Sequence, residues 1–367
     1  MKVLIVSNQP NNEFANGGRL CNERNKLYFE RYFGKENVFN YEIQRQRSKY
    51  LHLINSIKRL FLGANKNDIK SISKILKEQD IDILFFSNTF NGDLAYKFRD
   101  EKIIVFAHNV EYLFVKQEIE KYSFIKKCIY NSKLLITKRN EKKSIVYSDL
   151  FLTLNKRDSL EFDNVYGKFD KRILPMSIKD NYKNDNDTEI KSDVPQDYML
   201  FIGFNFFGNT EGLFWFINNI LDFVPYKLIV CGNGMEKYNN CFPDKNVFFN
   251  GYVENLGKYY QNASFVILPI ICGSGMKTKT AEALMYGKYI IGTDEAFCGY
   301  DIDVKKIGAL CNSKEDFIDA INRFHSEKHP LYNEYSRKVF EEKYSDEQVY
   351  KLFEKYIGDF INHESLS

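Results

Sequence analysis

The chain has 367 residues, 44% of them hydrophobic, which is enough material for two domains with separate cores. Its seven cysteines are scattered and form no Cys-x-x-Cys pair, which argues against a disulfide framework or a zinc site and favours a reducing compartment. Residues 1–180 hold 33 Lys and Arg against 22 Asp and Glu (+11), whereas the remainder holds 19 against 27 (−8). This asymmetry indicates an anionic partner for the first half, and charge alone leaves nucleic acid and a membrane surface both open.

The chain opens on MKVLIVSNQP, whose apolar run is too short for the core of a signal peptide. No later run approaches the ~18 apolar residues of a membrane span. We therefore expect a soluble, cytoplasmic protein, with peripheral attachment to the inner face of the plasma membrane left open.

The first half alternates buried strands with helical patterns. Residues 2–7 (KVLIVS) predict a buried strand, and after a polar loop the periodicity of Leu20–Phe33 predicts a helix. Further buried strands are predicted at Ile81–Phe86, Ile103–Ala107 and Leu150–Leu154. Such alternation indicates a parallel sheet with helices on both faces.

The polar stretch 179–197 breaks this pattern, and the alternation then restarts. Strands are predicted at Tyr198–Gly203, Tyr226–Cys231, Val247–Phe249, Phe265–Pro269 and Tyr289–Gly292. The fold class is therefore α/β, with two doubly wound, Rossmann-like parallel-sheet domains facing a cleft where a ligand binds. The predicted divisions are an N-terminal acceptor-side domain (1–178), a linker (179–197), a nucleotide-sugar domain (198–333) and a helical segment packing back toward the first domain (334–367).

The most informative segment is 264–293, SFVILPIICGSGMKTKTAEALMYGKYIIGT. A strand leads into the Gly273–Gly275 loop, and a helix runs from near Lys277 to a capping glycine, Gly287. The loop and the helix N-terminus offer unpaired N–H groups to an anion. Lys277 and Lys279 are unfavourable in a first helical turn unless a bound diphosphate supplies negative charge. Glu282, one turn on, can accept hydrogen bonds from ribose hydroxyls, although an ordinary strand–loop–helix with solvated lysines explains the residues equally well.

GSGMKTKTAEALMYG resembles the donor site of the large retaining GT-B family called "glycosyl transferases group 1". The resemblance implies that Glu282 binds the donor ribose. It also extends along the chain, through FIGFNFFGN, IVCGNG, the GYV turn and VFAHNVEY. The donor-binding residues it implies are Gly17, Gly18, Gly203, Tyr252, Val253, Ser274, Gly275, Met276, Lys277, Lys279 and Glu282, with His108 as the catalytic residue that reaches the donor sugar.

Two departures from the family pattern affect the donor site. Ser274 stands where many members have the first Glu of a Glu-x7-Glu pair, and GFNFFGN lacks the usual Arg and Lys. We infer that Lys277 and Lys279 neutralise the diphosphate instead. The sugar, the nucleobase and the stereochemical outcome are not determined by the sequence.

Three Asp-x-Asp patterns begin at Asp80, Asp185 and Asp301, but none closes a strand where a metal-bound diphosphate would lie. We expect no metal and no cofactor.

The stretch Gln44–Leu62 combines helical apolar spacing with flanking bases. Such a helix can lie on an anionic membrane, and it can equally pack on the sheet with its lysines solvated. A second basic stretch, Lys116–Lys143, adds to the positive charge of the first half.

The leading hypothesis is a glycosyltransferase that uses a nucleotide-diphosphate sugar and a glycan or lipid-linked acceptor of a surface polysaccharide. The alternatives are a nucleotide-sugar epimerase or hydrolase of the same fold, and a catalytically silent sugar-nucleotide-binding partner of an active enzyme. Nucleic acid is not an expected partner, because the basic half carries no recognised binding module.

Overall fold

The computed structural model describes residues 1–8, 17–43, 64–120, 122–182, 197–272 and 275–362. The chain divides into two compact units, one comprising Met1–Pro175 with Tyr350–Ser367 and the other Met176–Val349. The basic stretch Gln44–Leu62 and most of the 179–197 segment lie outside the described residues, so the structure bears on neither.

The first unit contains a six-stranded, all-parallel sheet in the order β2-β1-β3-β4-β5-β6. Its strands are β1 (Val3–Asn8), β2 (Val38–Ile43), β3 (Ile83–Phe86), β4 (Lys102–Ala107), β5 (Leu150–Thr153) and β6 (Arg172–Ile173). Its helices are α1 (Gly17–Phe33), α2 (Lys66–Gln79), α3 (Gly92–Lys97), α4 (Glu111–Glu120), α5 (Phe124–Val146) and α6 (Lys156–Tyr166), with 3₁₀ turns at Lys35–Asn37 and Thr89–Asn91. Strands as uniformly apolar as β3 (ILFF) fit a sheet covered on both faces, because both sets of side chains then leave water.

The second unit repeats the plan, with strand order β12-β11-β10-β7-β8-β9. Its strands are β7 (Tyr198–Ile202), β8 (Lys227–Cys231), β9 (Val247–Asn250), β10 (Phe265–Leu268), β11 (Ile290–Gly292) and β12 (Gly308–Leu310). Its helices are α7 (Phe207–Asn219), α8 (Gly257–Asn262), α9 (Thr278–Met285), α10 (Asp294–Phe297), α11 (Val304–Ile307), α12 (Lys314–Glu327) and α13 (Glu334–Val339), with 3₁₀ turns at Leu221–Phe223 and Glu236–Tyr238. The predicted fold class, α/β with two doubly wound parallel sheets, is confirmed.

The amphipathic stretch at the C-terminus is two helices, not one. A π-helical turn (Phe340–Tyr344) follows α13, and extended Ser345 precedes α14 (Asp346–Asn362). The break has a local cause, because Ser345 forms a parallel bridge with Ile178. Beyond Val349 the helix belongs to the first unit, where Phe353 contacts the rings of Tyr28 and Phe29 at centroid distances of 5.4 and 4.9 Å. Within the described residues, no helix combines the length and apolar character needed to cross a bilayer.

Candidate functional site

The predicted donor segment forms a strand–loop–helix at the carboxyl end of β10. The four strand residues are buried, and nine residues separate the end of the strand from the start of α9. Gly275, in the loop, has φ +64°, and Gly287, just past the helix, has φ +59°. A Cβ on Gly287 would lie 2.4 Å from the Tyr332 ring, so both backbone conformation and space require glycine there. Gly273 and Ser274 lie outside the described residues.

Lys279 is held in the interior of this site. The residue is only 8% exposed, and its Nζ donates a 2.6 Å hydrogen bond to Asn209 Oδ1 and lies 4.7 Å from the ring centre of Phe201. Burial lowers the pKa of Lys279 to about 7, with Glu282 opposing the shift and Lys277 adding to it. A buried ammonium that donates to a neutral amide still carries an uncompensated charge, which favours a negatively charged ligand.

Asn209 connects Lys279 to another predicted donor residue, Gly203. Asn209 lies in the first turn of α7, and its Nδ2 donates to Phe204 O at 2.8 Å. A Cβ on Gly203 would come within 3.0 Å of the Asn209 amide, so the glycine leaves room for this arrangement. The structure thus brings Gly203 and Lys279 to one place, and Asn209 is a site residue that sequence reasoning missed.

Glu282 lies on α9 one turn beyond Lys279. The residue is half-buried, and its carboxylate accepts a 2.9 Å hydrogen bond from Tyr260 Oη. Burial raises the pKa of Glu282, while the hydrogen bond from Tyr260 and the charge of Lys279 lower it. Tyr260 is fully buried and stacks on Tyr286 at 4.5 Å. Tyr260, also missed by sequence reasoning, therefore fixes the direction of the Glu282 carboxylate.

Lys277 does not share the surroundings of Lys279. Its Nζ pairs with Glu295 Oε1 at 2.6 Å and donates to Gly275 O at 3.2 Å. Met276, beside it, is buried. The two lysines predicted to act together thus differ, because Lys277 pairs with an acid in α10 and Lys279 donates to a neutral amide.

The remaining donor residues of the second unit cluster at the ends of β7, β8 and β9. Gly232, after β8, donates from its N–H to Gly251 O at 3.0 Å. A Cβ on Gly232 would lie 2.0 Å from Gly203 O, so the GFN and CGN loops touch through their backbones. Tyr252 and Val253 follow Gly251 in the sequence, and Tyr252 is 78% exposed. An exposed ring at this edge of the sheet suits a planar base.

In the first unit, the predicted residues gather where α1 begins and β4 ends. Gly17 and Gly18 open α1, and His108, just past β4, places Nε2 3.1 Å from Asn22 Oδ1 on the same helix. Burial lowers the pKa of His108 to about 4, with a backbone hydrogen bond to Ser87 opposing the shift. The ring is therefore neutral at physiological pH, with one nitrogen as donor and the other as acceptor, which suits a contact with sugar hydroxyls.

Glu141 supports the segment that follows His108. Its fully buried carboxylate accepts hydrogen bonds from Glu111 N (2.7 Å), Tyr112 N (2.9 Å) and Tyr166 Oη (2.6 Å). Glu141 thereby accepts hydrogen bonds from the first two backbone N–H groups of α4, which have no partner within the helix. Burial, followed by the nearby Glu141, raises the pKa of Glu111 to about 8. No sequence signal identified Glu141, which lies among four basic residues in KRNEKK.

The Asp-x-Asp patterns that fall within the described residues make local contacts. Asp82 accepts from the Lys2 N–H at 2.7 Å, and Asp301 pairs with Lys343 at 2.7 Å. Among the residues that the structure describes, no group of three or more His, Cys, Asp or Glu side chains is placed to hold a metal ion.

Comparison with solved structures establishes the fold. The chain resembles sucrose-phosphate synthase from Thermosynechococcus elongatus (TM-score 0.68, 10% identity, 99% of this chain and 100% of that one). It also resembles Anabaena HepE in complex with UDP (TM-score 0.68, 10% identity, 98% of this chain and 100% of that one). A third similar structure is the lipopolysaccharide outer core galactosyltransferase WaaB (TM-score 0.64, 16% identity, 99% of this chain and 100% of that one). No curated protein sequence matches the chain significantly. The architecture is the GT-B fold.

Residues 196–327, which contain the Lys279–Glu282 site, match the family model for glycosyl transferases group 1. The predicted enzyme class, a glycosyltransferase, is confirmed.

Proposed function

We propose that the protein transfers a sugar from a nucleotide-diphosphate sugar to a lipid-linked or surface-polysaccharide acceptor, without a metal ion and with retention of configuration. The observation that carries the proposal is the buried Lys279 ammonium, one helical turn from the Tyr260-bound Glu282 carboxylate. A cation and a hydrogen-bond acceptor one helical turn apart can serve the two ends of a ribose-diphosphate unit.

Each donor group has a place in this proposal. Glu282 accepts hydrogen bonds from the ribose hydroxyls, while Lys279 and the N–H groups around Gly275 bind the diphosphate. Tyr252 and Val253 hold the base. Charge on the departing diphosphate is then stabilised by a fixed cation and fixed dipoles, which is the usual source of electrostatic catalysis. Because a lysine supplies the positive charge, the reaction does not need a divalent cation.

His108 contributes from the first unit, with Gly17 and Gly18. A neutral imidazole contributes hydrogen bonds rather than a fixed charge, so it contacts a hydroxyl of the transferred sugar. The donor's own phosphate assists the incoming acceptor on the retained face. The role of Lys277 is to hold the loop through Glu295 and Gly275, and a direct contact with phosphate requires that ion pair to open.

The first donors to test are uridine nucleotides, because HepE has been solved with UDP and with UDP-glucose. A lipid-linked acceptor is proposed from two observations. WaaB is a lipopolysaccharide outer core galactosyltransferase, and a further structural neighbour, WaaG, is a glycosyltransferase involved in lipopolysaccharide biosynthesis. The first half of this chain carries a charge of +11. Contact with an anionic cytoplasmic leaflet follows from the same charge.

The experiment is a thermal-shift screen of nucleotide sugars followed by turnover assays with and without acceptor. A bound donor raises the unfolding temperature by mass action. Transfer that depends on acceptor supports the proposal. Equal turnover without acceptor indicates a hydrolase or epimerase, and binding without turnover under any condition indicates a silent partner protein. No stabilisation by any nucleotide sugar would refute the donor site itself.

A further inference from the structure

Helix α5 buries several polar residues and leaves part of its apolar surface exposed. The side chains that face the unit's interior include Thr137, Asn140, Glu141 and Ser144, all of them buried. A surface helix normally turns its apolar stripe to the core. The reversed arrangement requires partners for the buried polar groups and leaves apolar side chains in water.

The rotation of α5 about its axis is fixed by those buried groups. Asn140 Oδ1 accepts from Asp93 N at 2.8 Å, and Ser144 Oγ donates to Thr89 O at 3.0 Å. A Cβ on Gly92 would lie 1.9 Å from Asn140 O, so α3 and α5 approach as closely as backbones allow. Turning the helix to bury its outer side would break all of these contacts, including the four-donor site of Glu141.

The outer face, defined here as Leu135, Lys138, Arg139, Lys142 and Val146, is both apolar and basic. Leu135 is 64% exposed and Val146 is 59% exposed, and the three basic residues between them are also exposed. Between residues 131 and 148 the only acidic residue is Glu141, which is buried. The outer face therefore has no acid of its own to neutralise its bases.

The outer face continues onto neighbouring side chains. An open groove of about 540 Å³ is lined by the outer-face residues with Lys143 and Tyr147. The ring of Tyr147 lies 5.1 Å from that of Tyr96, over which Arg99 lies at 5.0 Å. The surface thus adds exposed aromatic and basic groups of α3 and its C-terminal end.

We propose that the outer face of α5 docks on an anionic lipid bilayer, with Leu135 and Val146 entering the interface and Lys138, Arg139 and Lys142 contacting lipid phosphates. The charge complementarity argues for an anionic partner, and the aliphatic side chains distinguish a bilayer from other polyanions, because only a bilayer offers them an apolar phase. Tyr96 and Tyr147 suit the headgroup level, where an aromatic ring keeps its hydroxyl in water. Lysine and arginine stems lie along apolar surface while their charges reach the headgroups.

The location of the outer face indicates a purpose for docking, which is to bring the protein to a membrane-bound acceptor. This step rests on the proposed lipid-linked acceptor. Lys138 Nζ lies 4.9 Å from the ring centre of Tyr112, whose N–H is bound by Glu141. Tyr112 is four residues from His108, at the carboxyl edge of the sheet. A bilayer on the outer face would therefore lie beside the segment that connects Tyr112 to His108.

The test is co-sedimentation of the full-length protein with vesicles of phosphatidylcholine alone or with phosphatidylglycerol added. Wild type should bind the anionic vesicles and release them as salt rises, because exposed charges are screened within about 8–10 Å. The triple variant Lys138→Ser, Arg139→Ser, Lys142→Ser should bind on the order of a hundredfold more weakly, since each base near an anionic surface contributes about 1 kcal/mol. Leu135→Ser with Val146→Ser should weaken binding roughly tenfold, because two aliphatic side chains lose partial burial.

The matched control is Lys70→Ser, Lys74→Ser, Lys77→Ser on α2, which removes the same charge from exposed positions of the same unit. Equal loss in this control would mean that net charge alone drives binding, and the proposal would be overturned. Absence of wild-type binding to anionic vesicles at low salt would also overturn it. A bound single-stranded RNA that depends on the three bases but not on Leu135 and Val146 would identify a nucleic-acid site instead.

A spectroscopic measurement reports insertion directly. The sequence has a single Trp, at position 215 in the second unit, so Leu135→Trp adds one reporter. Its emission should shift to the blue with anionic vesicles, whereas Leu160→Trp, at another exposed leucine of the unit, should not shift. The basic triple variant should bind nucleotide sugars like wild type. Failure of donor binding in wild type would thus refute the proposed function while the vesicle result still decides the docking.

Discussion

The pKa of Lys279 makes donor affinity depend on pH in a direction that the structure fixes. Burial holds this pKa at about 7 in the free protein, and a bound diphosphate must raise it, because an opposite charge stabilises the ammonium. Binding above pH 7 therefore requires uptake of a proton. Between pH 6 and pH 9 the affinity should fall by about 10²-fold, approaching tenfold per pH unit, since one unit corresponds to about 1.4 kcal/mol.

The measurement is isothermal titration calorimetry with a nucleotide-diphosphate sugar at several pH values and in two buffers of different ionisation enthalpy. The sugar diester is chosen because, unlike a terminal phosphate with a pKa near 6, its diphosphate keeps a constant charge over this range. The buffer comparison should give an uptake close to one proton at pH 8.5 and little at pH 6.

Two variants separate Lys279 from other titrating groups. Lys279→Arg stays charged throughout, so any remaining binding should be independent of pH, and Lys279→Met should bind weakly at every pH. A wild-type affinity that does not change between pH 6 and 9, with no proton uptake, would show that the ammonium does not meet the diphosphate. The stability of the free protein should change with pH in the opposite direction to donor affinity. Because burial lowers the pKa of Lys279, the contribution of this residue to the free energy of unfolding rises with pH from about 7 toward 10.

Four further outcomes are expected. Glu282→Ala should weaken donor binding by roughly 1.5–3 kcal/mol, as for a charged hydrogen bond, and Tyr260→Phe by less; calorimetry that finds the alanine variant equal to wild type would remove Glu282 from the ribose site. Lys288→Met should lower the free energy of unfolding by several kcal/mol, because the Lys288 Nζ donates to three backbone carbonyls at 2.7–3.1 Å and each buried acceptor left unpaired costs on the order of 1–3 kcal/mol. A urea midpoint like that of wild type would contradict this. Gly212→Ala should unfold more readily, since a Cβ there would lie 1.7 Å from Pro269 O, and unchanged thermal unfolding would show that α7 can shift freely. Sugar transfer should persist in excess EDTA, and complete loss restored by magnesium or manganese would refute the metal-independent mechanism.

The sequence predicts those parts of the fold and site that depend on local pattern. The ILFF and FVIL strands are apolar on both faces and could be placed from their composition. Helix α9 and its terminal glycine were predicted because a helix end needs a residue that tolerates positive φ, and Gly287 has φ +59°. The carboxyl-edge position of His108 followed from the preceding strand.

The contacts that distinguish one site residue from another are tertiary, and the sequence does not carry them. Lys277 and Lys279 look equivalent in GMKTKT, yet one pairs with Glu295 and the other meets Asn209, seventy residues earlier. Tyr260 sits in a short helix with nothing to single it out from its neighbour, Tyr259. The inward direction of Glu141 could not be predicted, because a helix in which polar residues face inward reverses the pattern on which prediction depends.

The path of the chain through its last helix affects the order of folding during synthesis. The second unit is continuous in sequence and ends at Val349, whereas the first also needs Tyr350 and the residues after it. Phe353 packs against Tyr28 and Phe29, so the core of the first unit is completed by a segment that is synthesised after the whole of the second unit. The second unit can reach its final packing while the first, although synthesised earlier, still exposes the surface that Phe353 covers. A chain that ends at residue 349 would keep that surface exposed and should therefore be prone to aggregation and recognition by chaperones.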